Sequence, residues 1–285
     1  MFDAIVVGAR CAGSPTAMLL ARRGYRVLLV DRATFPSDTI STHFIWQLGM
    51  ACLKRWGLLD RVLATNCPPF RMLGLDLGAF QLIGEPPAAD GMAAICVPRR
   101  TVLDKLLVDA AAEAGAEVRE GFWVTGLTFS NGQVTGISGH GRGGAEIQEQ
   151  ARIVIGADGR NSLVAKAVGS KKYNVRPALT CGYYAYHSGV AAHIPAIHPL
   201  PRRVVISFPT NDGLTVTYLA CPRDEFAAIR SDPERHLMDA VALVGCFEEP
   251  FRGGTRAERN ASEMPWAMIG SLWYAASPTR AQPSP

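Results

Sequence analysis

Four residues near the start of the chain have types and spacing that suit binding a dinucleotide. The segment Val-Val-Gly-Ala-Arg-Cys-Ala-Gly places Gly8, Arg10 and Gly13 in the order G-x-R-x-x-G. In the usual G-x-G-x-x-G pattern the first glycine makes a tight turn, the second lets the backbone approach a pyrophosphate, and the third lets helix and strand pack closely. Asp31 follows 18 residues after Gly13, where a carboxylate can accept hydrogen bonds from ribose hydroxyls.

Arg10 stands where the middle glycine is usual. A guanidinium can bridge phosphate oxygens with its side chain, so we expect Arg10 to contact the phosphates directly. The free N–H groups and the dipole of the following helix would hold the same anion. The alternative is a glycine turn in an α/β fold that binds no nucleotide, with Asp31 a solvated strand end.

The surrounding pattern favours the nucleotide interpretation, because the motif lies between two apolar strands and a helix. A short apolar run, a helix-forming segment and a second apolar run predict one β-α-β unit, with strands at 3–8 and 25–31 and a helix at 12–23. The same reasoning predicts helices at 42–56, 101–114 and 160–169, a hairpin turn at 130–132, and strands at 152–157, 183–187, 203–209 and 214–221. A further helix is predicted to contain Leu237, Ala240, Val241 and Val244.

Two later segments give the chain its resemblance to a known family. Pro-Arg-Arg-Thr-Val-Leu-Asp at 98–104 matches an R-x-x-L-D pattern at a helix start, and Gly-Ala-Asp-Gly-Arg-Asn-Ser at 156–162 matches a D-G motif. With the opening glycine motif, these segments resemble the FAD-dependent oxidoreductases that include aromatic-ring hydroxylases (flavin monooxygenases) and geranylgeranyl reductases. Without that order, the arginine pair could be a solvated helix start and the D-G motif an ordinary turn.

The resemblance implies the fold and the cofactor site. It implies an α/β fold: a glutathione-reductase-like FAD-binding Rossmann domain with an inserted antiparallel-sheet substrate domain. The expected boundaries are 1–174 for the FAD-binding domain, with a strand-rich segment at 67–100, then 175–250 for the substrate domain and 251–285 for a degenerate return to the first. The implied cofactor-binding residues are Gly8, Arg10, Ala12, Gly13, Asp31, Arg32, Arg100, Val124, Asp158 and Gly159.

The expected function is FAD-dependent oxidation or reduction of a small hydrophobic or aromatic molecule. Monooxygenation with NAD(P)H as donor is the first expectation, and reduction of an isoprenoid-type double bond is the second. No catalytic residue can be named, since the flavin carries the redox chemistry. The W-x-W-x-I-P motif that the halogenase branch usually carries is missing from the sequence. His43 could contact substrate or flavin, but a structural role is the more common one for such a residue.

A third expectation is an inactive, C-terminally truncated flavoprotein. Similar proteins have a second G-D motif after the substrate domain, followed by a long helix. This sequence has no Gly-Asp dipeptide; Gly270 is followed by Ser271, and the chain ends at Pro285. We therefore expect the flavin half of the site to be weakened.

Composition excludes several other classes of protein. The net charge of +4 comes from 29 basic and 25 acidic residues without a basic stripe, so no nucleic-acid partner is expected. The 7 cysteines are scattered, which argues against a disulfide framework or a zinc site. No apolar run has the roughly 18 residues of a membrane span. A cytoplasmic protein of unknown oligomeric state that binds a small-molecule substrate is expected.

Overall fold

The structure is a computed structural model that describes residues 1–173, 175, 177–191, 194–245, 248–257 and 272–273. It divides into two units: residues 1–37, 101–176 and 270–285 form the first, and residues 38–100 and 177–269 form the second. The boundaries expected from the sequence for the FAD-binding and substrate domains stay a prediction.

The helices and strands of the described residues, in chain order, are β1 (Phe2–Val7), α1 (Gly13–Ala21), β2 (Val27–Val30), α2 (Gln47–Arg55), α3 (Leu59–Leu63), β3 (Leu73–Asp76), β4 (Gln81–Gly84), α4 (Arg100–Glu113), β5 (Glu117–Arg119), β6 (Phe122–Ser130), β7 (Gln133–Gly141), β8 (Ile147–Gly156), α5 (Leu163–Ala167), β9 (Lys172–Tyr173), β10 (Thr180–Ser188), β11 (Ala196–Leu200), β12 (Arg203–Pro209), β13 (Thr215–Pro222), α6 (Phe226–Ser231), α7 (Pro233–Ala242), α8 (Glu248–Phe251), β14 (Thr255–Arg256) and β15 (Leu272–Trp273).

The first unit is built on a six-stranded sheet with the order β5-β2-β1-β8-β7-β6. Strands β5, β2, β1 and β8 run parallel, while β8, β7 and β6 are antiparallel neighbours. Strands β1 and β2 are apolar and almost entirely buried, as central parallel strands must be. The chain therefore leaves β1 at the carboxyl edge of the sheet, directly into the glycine turn.

The hairpin between β6 and β7 has the turn that the sequence predicts. Asn131 and Gly132 both have positive φ, 49° and 76°. Two such residues form the turn whose twist matches that of the flanking strands.

The second unit contains a seven-stranded sheet with the order β14-β10-β13-β12-β11-β3-β4. All its pairs are antiparallel except β11 with β3. Its apolar core includes the aromatic side chains Tyr183, Tyr184, Tyr186, Phe208 and Tyr218, and helix α7 packs against β10 and β13. This unit thus has an apolar core of its own.

The prediction of a helix at 42–56 is wrong for its first turn. Helix α2 begins at Gln47, because Ile45 pairs with Cys96 in an isolated β-bridge and His43 has a φ of 62°. A left-handed residue and a bridge hydrogen bond are both incompatible with an α-helix. Long-range pairing therefore overrides the local helix propensity.

The described residues were compared for thiols, possible metal ligands and long apolar helices. Every cysteine among them is a free thiol. They contain no cluster of side chains suited to a metal ion. None of their helices combines the length and apolar character needed to span a membrane.

Candidate functional site

The glycine turn after β1 has no room for side chains at its two glycines. Gly8 has a φ of 102°, and a Cβ there would lie 2.4 Å from the carbonyl oxygen of Ala157. A Cβ on Gly13 would lie 1.7 Å from the carbonyl oxygen of Gly8. These contacts explain both glycines: the first for its backbone conformation, the second for the close packing of α1 on β1.

Helix α1 starts at this turn with its N-terminal end open. No side chain of the described residues caps the helix at Ala12, and its first turn contains no acidic residue. The backbone N–H of Ser14 donates to the carbonyl of Arg10 at 3.0 Å, and the first-turn amides add to the positive end of the helix dipole. Such an end binds phosphate, so the turn fits the pyrophosphate of a dinucleotide.

Asp31 lies beside the turn, at the end of β2. Its Oδ2 accepts the backbone N–H of Ala9 at 2.7 Å, and its Oδ1 accepts the N–H of Ala33 at 2.8 Å. A carboxylate offers about four acceptor positions, so both oxygens can still accept bonds from ribose hydroxyls. The residue therefore orients the glycine turn and fits its predicted role.

Arg10 makes contacts that the sequence did not predict. Its Nη1 lies 2.5 Å from Oδ2 of Asp104, Nη1 also donates to the carbonyl of Ser37 at 3.3 Å, and Nη2 donates to the Ser37 hydroxyl at 3.0 Å. The guanidinium lies over the ring of Phe35, 5.3 Å from its centroid. Direct contact between Arg10 and a phosphate stays a prediction.

Asp104 is the last residue of the R-x-x-L-D segment, but the sequence did not identify it as a site residue. It is completely buried on helix α4, whose other buried residues include Leu103 and Leu107. The motif was one signal for this residue, and the second is that a carboxylate among the apolar positions of a helix needs a charged partner. Only the tertiary structure identifies the partner as Arg10, 94 positions earlier.

The D-G motif lies next to the glycine turn in the same unit. The N–H of Ala157 donates to the carbonyl of Val7 at 2.8 Å, so β8 ends beside Gly8. The carboxylate of Asp158 accepts the N–H of Leu163 at 2.6 Å and the hydroxyl of Ser162 at 2.5 Å. Asp158 therefore stabilises the start of α5, and its contact with a cofactor stays a prediction.

The remaining predicted residues have different surroundings. Ala12 and Arg32 are exposed, and Gly159 has a φ of 81° with open space where a Cβ would lie. Val124 packs against the apolar core of the first unit, which leaves its backbone as the group able to meet a cofactor. Arg100 is the first residue of α4 and is assigned to the second unit.

His43 is buried in the second unit, between tyrosine rings. Its Nε2 lies 2.6 Å from the hydroxyl of Tyr186, and its ring meets that of Tyr184 edge-on at 5.0 Å. Burial, followed by the charge of Arg100, lowers the pKa of His43 to about 4. Its Nδ1 has no hydrogen-bond partner among the described residues. The imidazole is therefore neutral at pH 7, and its burial favours the structural role.

The degenerate second motif, Gly270-Ser271, lies outside the described residues. Its predicted effect on the flavin half of the site is left as a sequence prediction.

Comparison with known proteins agrees with this geometry. A family model described as an FAD binding domain matches residues 1–236. The digeranylgeranylglycerophospholipid reductase of Methanocella arvoryzae is 32% identical over 169 residues, which cover 59% of this chain and 42% of that protein. Protein FixC of Salmonella typhi is 30% identical over 234 residues, covering 79% of this chain and 50% of that protein. The chain spans about half the length of these curated relatives.

Solved structures show the same fold. The myxobacterial chondrochloren halogenase CndH superposes with a TM-score of 0.82 at 22% identity, covering 95% of this chain and 63% of its own. A geranylgeranyl bacteriochlorophyll reductase-like protein from Thermoplasma acidophilum gives 0.76 at 18% identity, with 95% and 66% covered. The α/β fold with a Rossmann-type FAD domain, predicted from the sequence, is confirmed.

Proposed function

Because this chain belongs to the family of FAD-binding domains, we propose that it is an FAD-dependent oxidoreductase acting on a small hydrophobic or aromatic molecule. The observation that carries the proposal is the glycine turn. A tight turn, an uncapped helix end and an oriented carboxylate meet at the carboxyl edge of a parallel sheet, the usual place for a dinucleotide in α/β folds. When bound, the flavin supplies the redox chemistry.

We propose specific roles for residues around this turn. The amides at the start of α1 hold the pyrophosphate, and Gly8 and Gly13 let the backbone come close to it. Asp31 accepts hydrogen bonds from the ribose of the adenosine half. The other proposed cofactor contacts are Ala12, Arg32, Arg100, Val124, Asp158 and Gly159.

Two reactions are candidates for the finer function. Monooxygenation with NAD(P)H as electron donor is the reaction first predicted from the sequence. Reduction of an isoprenoid-type double bond is supported by the 32% identity to an enzyme named as a digeranylgeranylglycerophospholipid reductase.

Titration of the purified chain with FAD tests cofactor binding. We expect saturable binding, seen as quenching of flavin fluorescence, and the Gly13→Val variant should lose it. No saturation with folded wild-type protein would contradict the proposal.

A second experiment separates the two reactions. NADPH oxidation and oxygen uptake are followed with and without an aromatic substrate, and then with an isoprenoid substrate under anaerobic conditions. Substrate-dependent oxygen uptake would identify a monooxygenase, whereas anaerobic loss of the double bond would identify a reductase. If the chain binds FAD but shows neither activity, the result would favour the inactive flavoprotein.

A further inference from the structure

We infer that Arg10 and Asp104 form a positioning pair that fixes the glycine turn to helix α4, so that Arg10 serves the cofactor through Asp104. The inference rests on the proposed function, since the turn must be the phosphate site for the pair to affect binding. It gives Arg10 a role other than the direct phosphate contact predicted from the sequence, and it gives Asp104 a role for the first time.

The direction of the Arg10 side chain is the first argument. Nη1 reaches Oδ2 of Asp104 at 2.5 Å, and both terminal nitrogens donate to Ser37. Phe35 covers the guanidinium plane. These contacts engage both terminal nitrogens, while the backbone of the same residue accepts the N–H of Ser14 and so starts α1.

The burial of Asp104 is the second argument. Its side chain is completely inaccessible, whereas that of Arg10 is 25% exposed. Its Oδ1 also accepts the thiol of Cys11 at 3.3 Å. A buried carboxylate is costly unless it is paired and hydrogen-bonded, and Arg10 and Cys11, which donate to Asp104, both belong to the glycine turn. Asp104 therefore ties two consecutive residues of the turn to one point on α4.

Charge balance is the third argument. Because Asp104 neutralises the guanidinium at close range, the attraction for a phosphate comes mainly from the amides and dipole of α1. The geometry of those amides then determines affinity. Arg10 replaces the middle glycine of the motif. Because its side chain is bound to Asp104, we expect it to leave the backbone amides at the start of α1 accessible to the phosphates.

The test compares dissociation constants for FAD, and for ADP, across four variants. Arg10→Met and Asp104→Asn each remove one partner, and the double variant removes both. The matched control is Asp109→Asn, which breaks a partly buried ion pair with Lys105 on the same helix. Amide hydrogen exchange of residues 9–13 without cofactor is measured in parallel. If a variant does not fold, Ser37→Ala replaces it as a milder removal of an Arg10 acceptor.

We expect Arg10→Met and Asp104→Asn each to weaken FAD and ADP binding by at least tenfold, and the double variant to bind no more weakly than either of them. Amide exchange at residues 9–13 should be faster in Arg10→Met and in Asp104→Asn than in wild type. The dissociation constants and exchange rates of Asp109→Asn should stay within twofold of wild type. Unchanged binding in Asp104→Asn beside weakened binding in Arg10→Met would overturn the inference in favour of a direct phosphate contact. If the wild type does not bind FAD, the proposed function fails. Amide exchange then tests the positioning pair by itself, and equal exchange rates at residues 9–13 in Asp104→Asn and Asp109→Asn would overturn the inference.

Discussion

At the scale of single residues, Gly13 shows how a missing Cβ permits helix α1 to pack closely on β1. We expect Gly13→Ala to destabilise the first unit by about 3 kcal/mol, at the upper end of overpacking costs, and to weaken FAD binding more than tenfold. The reason is that the new Cβ would lie 1.7 Å from the backbone oxygen of Gly8. A backbone atom, unlike the end of a side chain, cannot move away by a rotamer change. Thermal unfolding and FAD titration measure the two effects.

A control for this substitution lies in the same unit. Gly141 has open space at its Cβ position and an ordinary φ, so Gly141→Ala should leave stability and FAD binding unchanged. A Gly13→Ala protein that behaves like this control would show that α1 does not need its close approach to β1.

His43 gives a prediction about pH at the same scale. Its pKa is 6.5 when unperturbed and about 4 in the folded chain, so the unfolded chain binds the extra proton between these values. The free energy of unfolding should therefore fall as the pH drops from 6.5 towards 4, by about 3 kcal/mol at most for this displacement. Above pH 6.5 the residue makes no pH-dependent contribution.

The His43→Asn variant isolates this effect, because asparagine tolerates the positive φ but does not titrate. Denaturant unfolding at a series of pH values should show a shallower acid slope in the variant. His187, whose pKa is also lowered chiefly by burial, remains in both proteins as a common background. Equal slopes in the two proteins would contradict the assignment.

At the scale of elements, helix α5 depends on its cap. The Ser162 hydroxyl accepts the N–H of Ala165 at 2.9 Å and donates to Asp158. We expect Ser162→Ala to lower the free energy of unfolding by about 1 kcal/mol, the usual cost of losing such a cap. The control is Ser130→Ala, which replaces an exposed serine at the end of β6. This substitution should change the free energy of unfolding by less than about 0.5 kcal/mol. Urea unfolding that ranks the two variants equally would refute the capping role.

Helix α2 shows at this scale where sequence patterns stop being sufficient. Residues 42–46 look helical on their own, yet Ile45 pairs with Cys96 far along the chain. Helix propensities amount to less than about 1 kcal/mol per ordinary residue. The long-range bridge and the burial of His43 therefore decide the local conformation.

At the scale of the whole molecule, cofactor binding should stabilise the unit that contains the glycine turn. At a free FAD concentration 100 times the dissociation constant, linkage predicts about 2.7 kcal/mol of added stability. We expect slower hydrogen exchange in β1, α1 and β2 as FAD is added, with no such change in Gly13→Val. Exchange in these elements that is independent of FAD concentration would argue against the site.

The sequence by itself determined the family and the α/β fold, and it named candidate cofactor residues that stay a prediction. Those features depend on local patterns: an apolar strand, glycines at fixed spacing and a carboxylate at the next strand end. The hairpin turn at Asn131 and Gly132 belongs to the same group, because the two residue types favour it without help from the rest of the chain.

Tertiary structure alone decided how the charged and buried groups pair. Arg10 and Asp104 are 94 positions apart, and His43 and Tyr186 are 143 apart. A sequence shows that a buried carboxylate or imidazole needs a partner, but several residues could supply it. The choice depends on which strands and helices pack together, since a hydrogen bond or ion pair requires its atoms within a few ångströms.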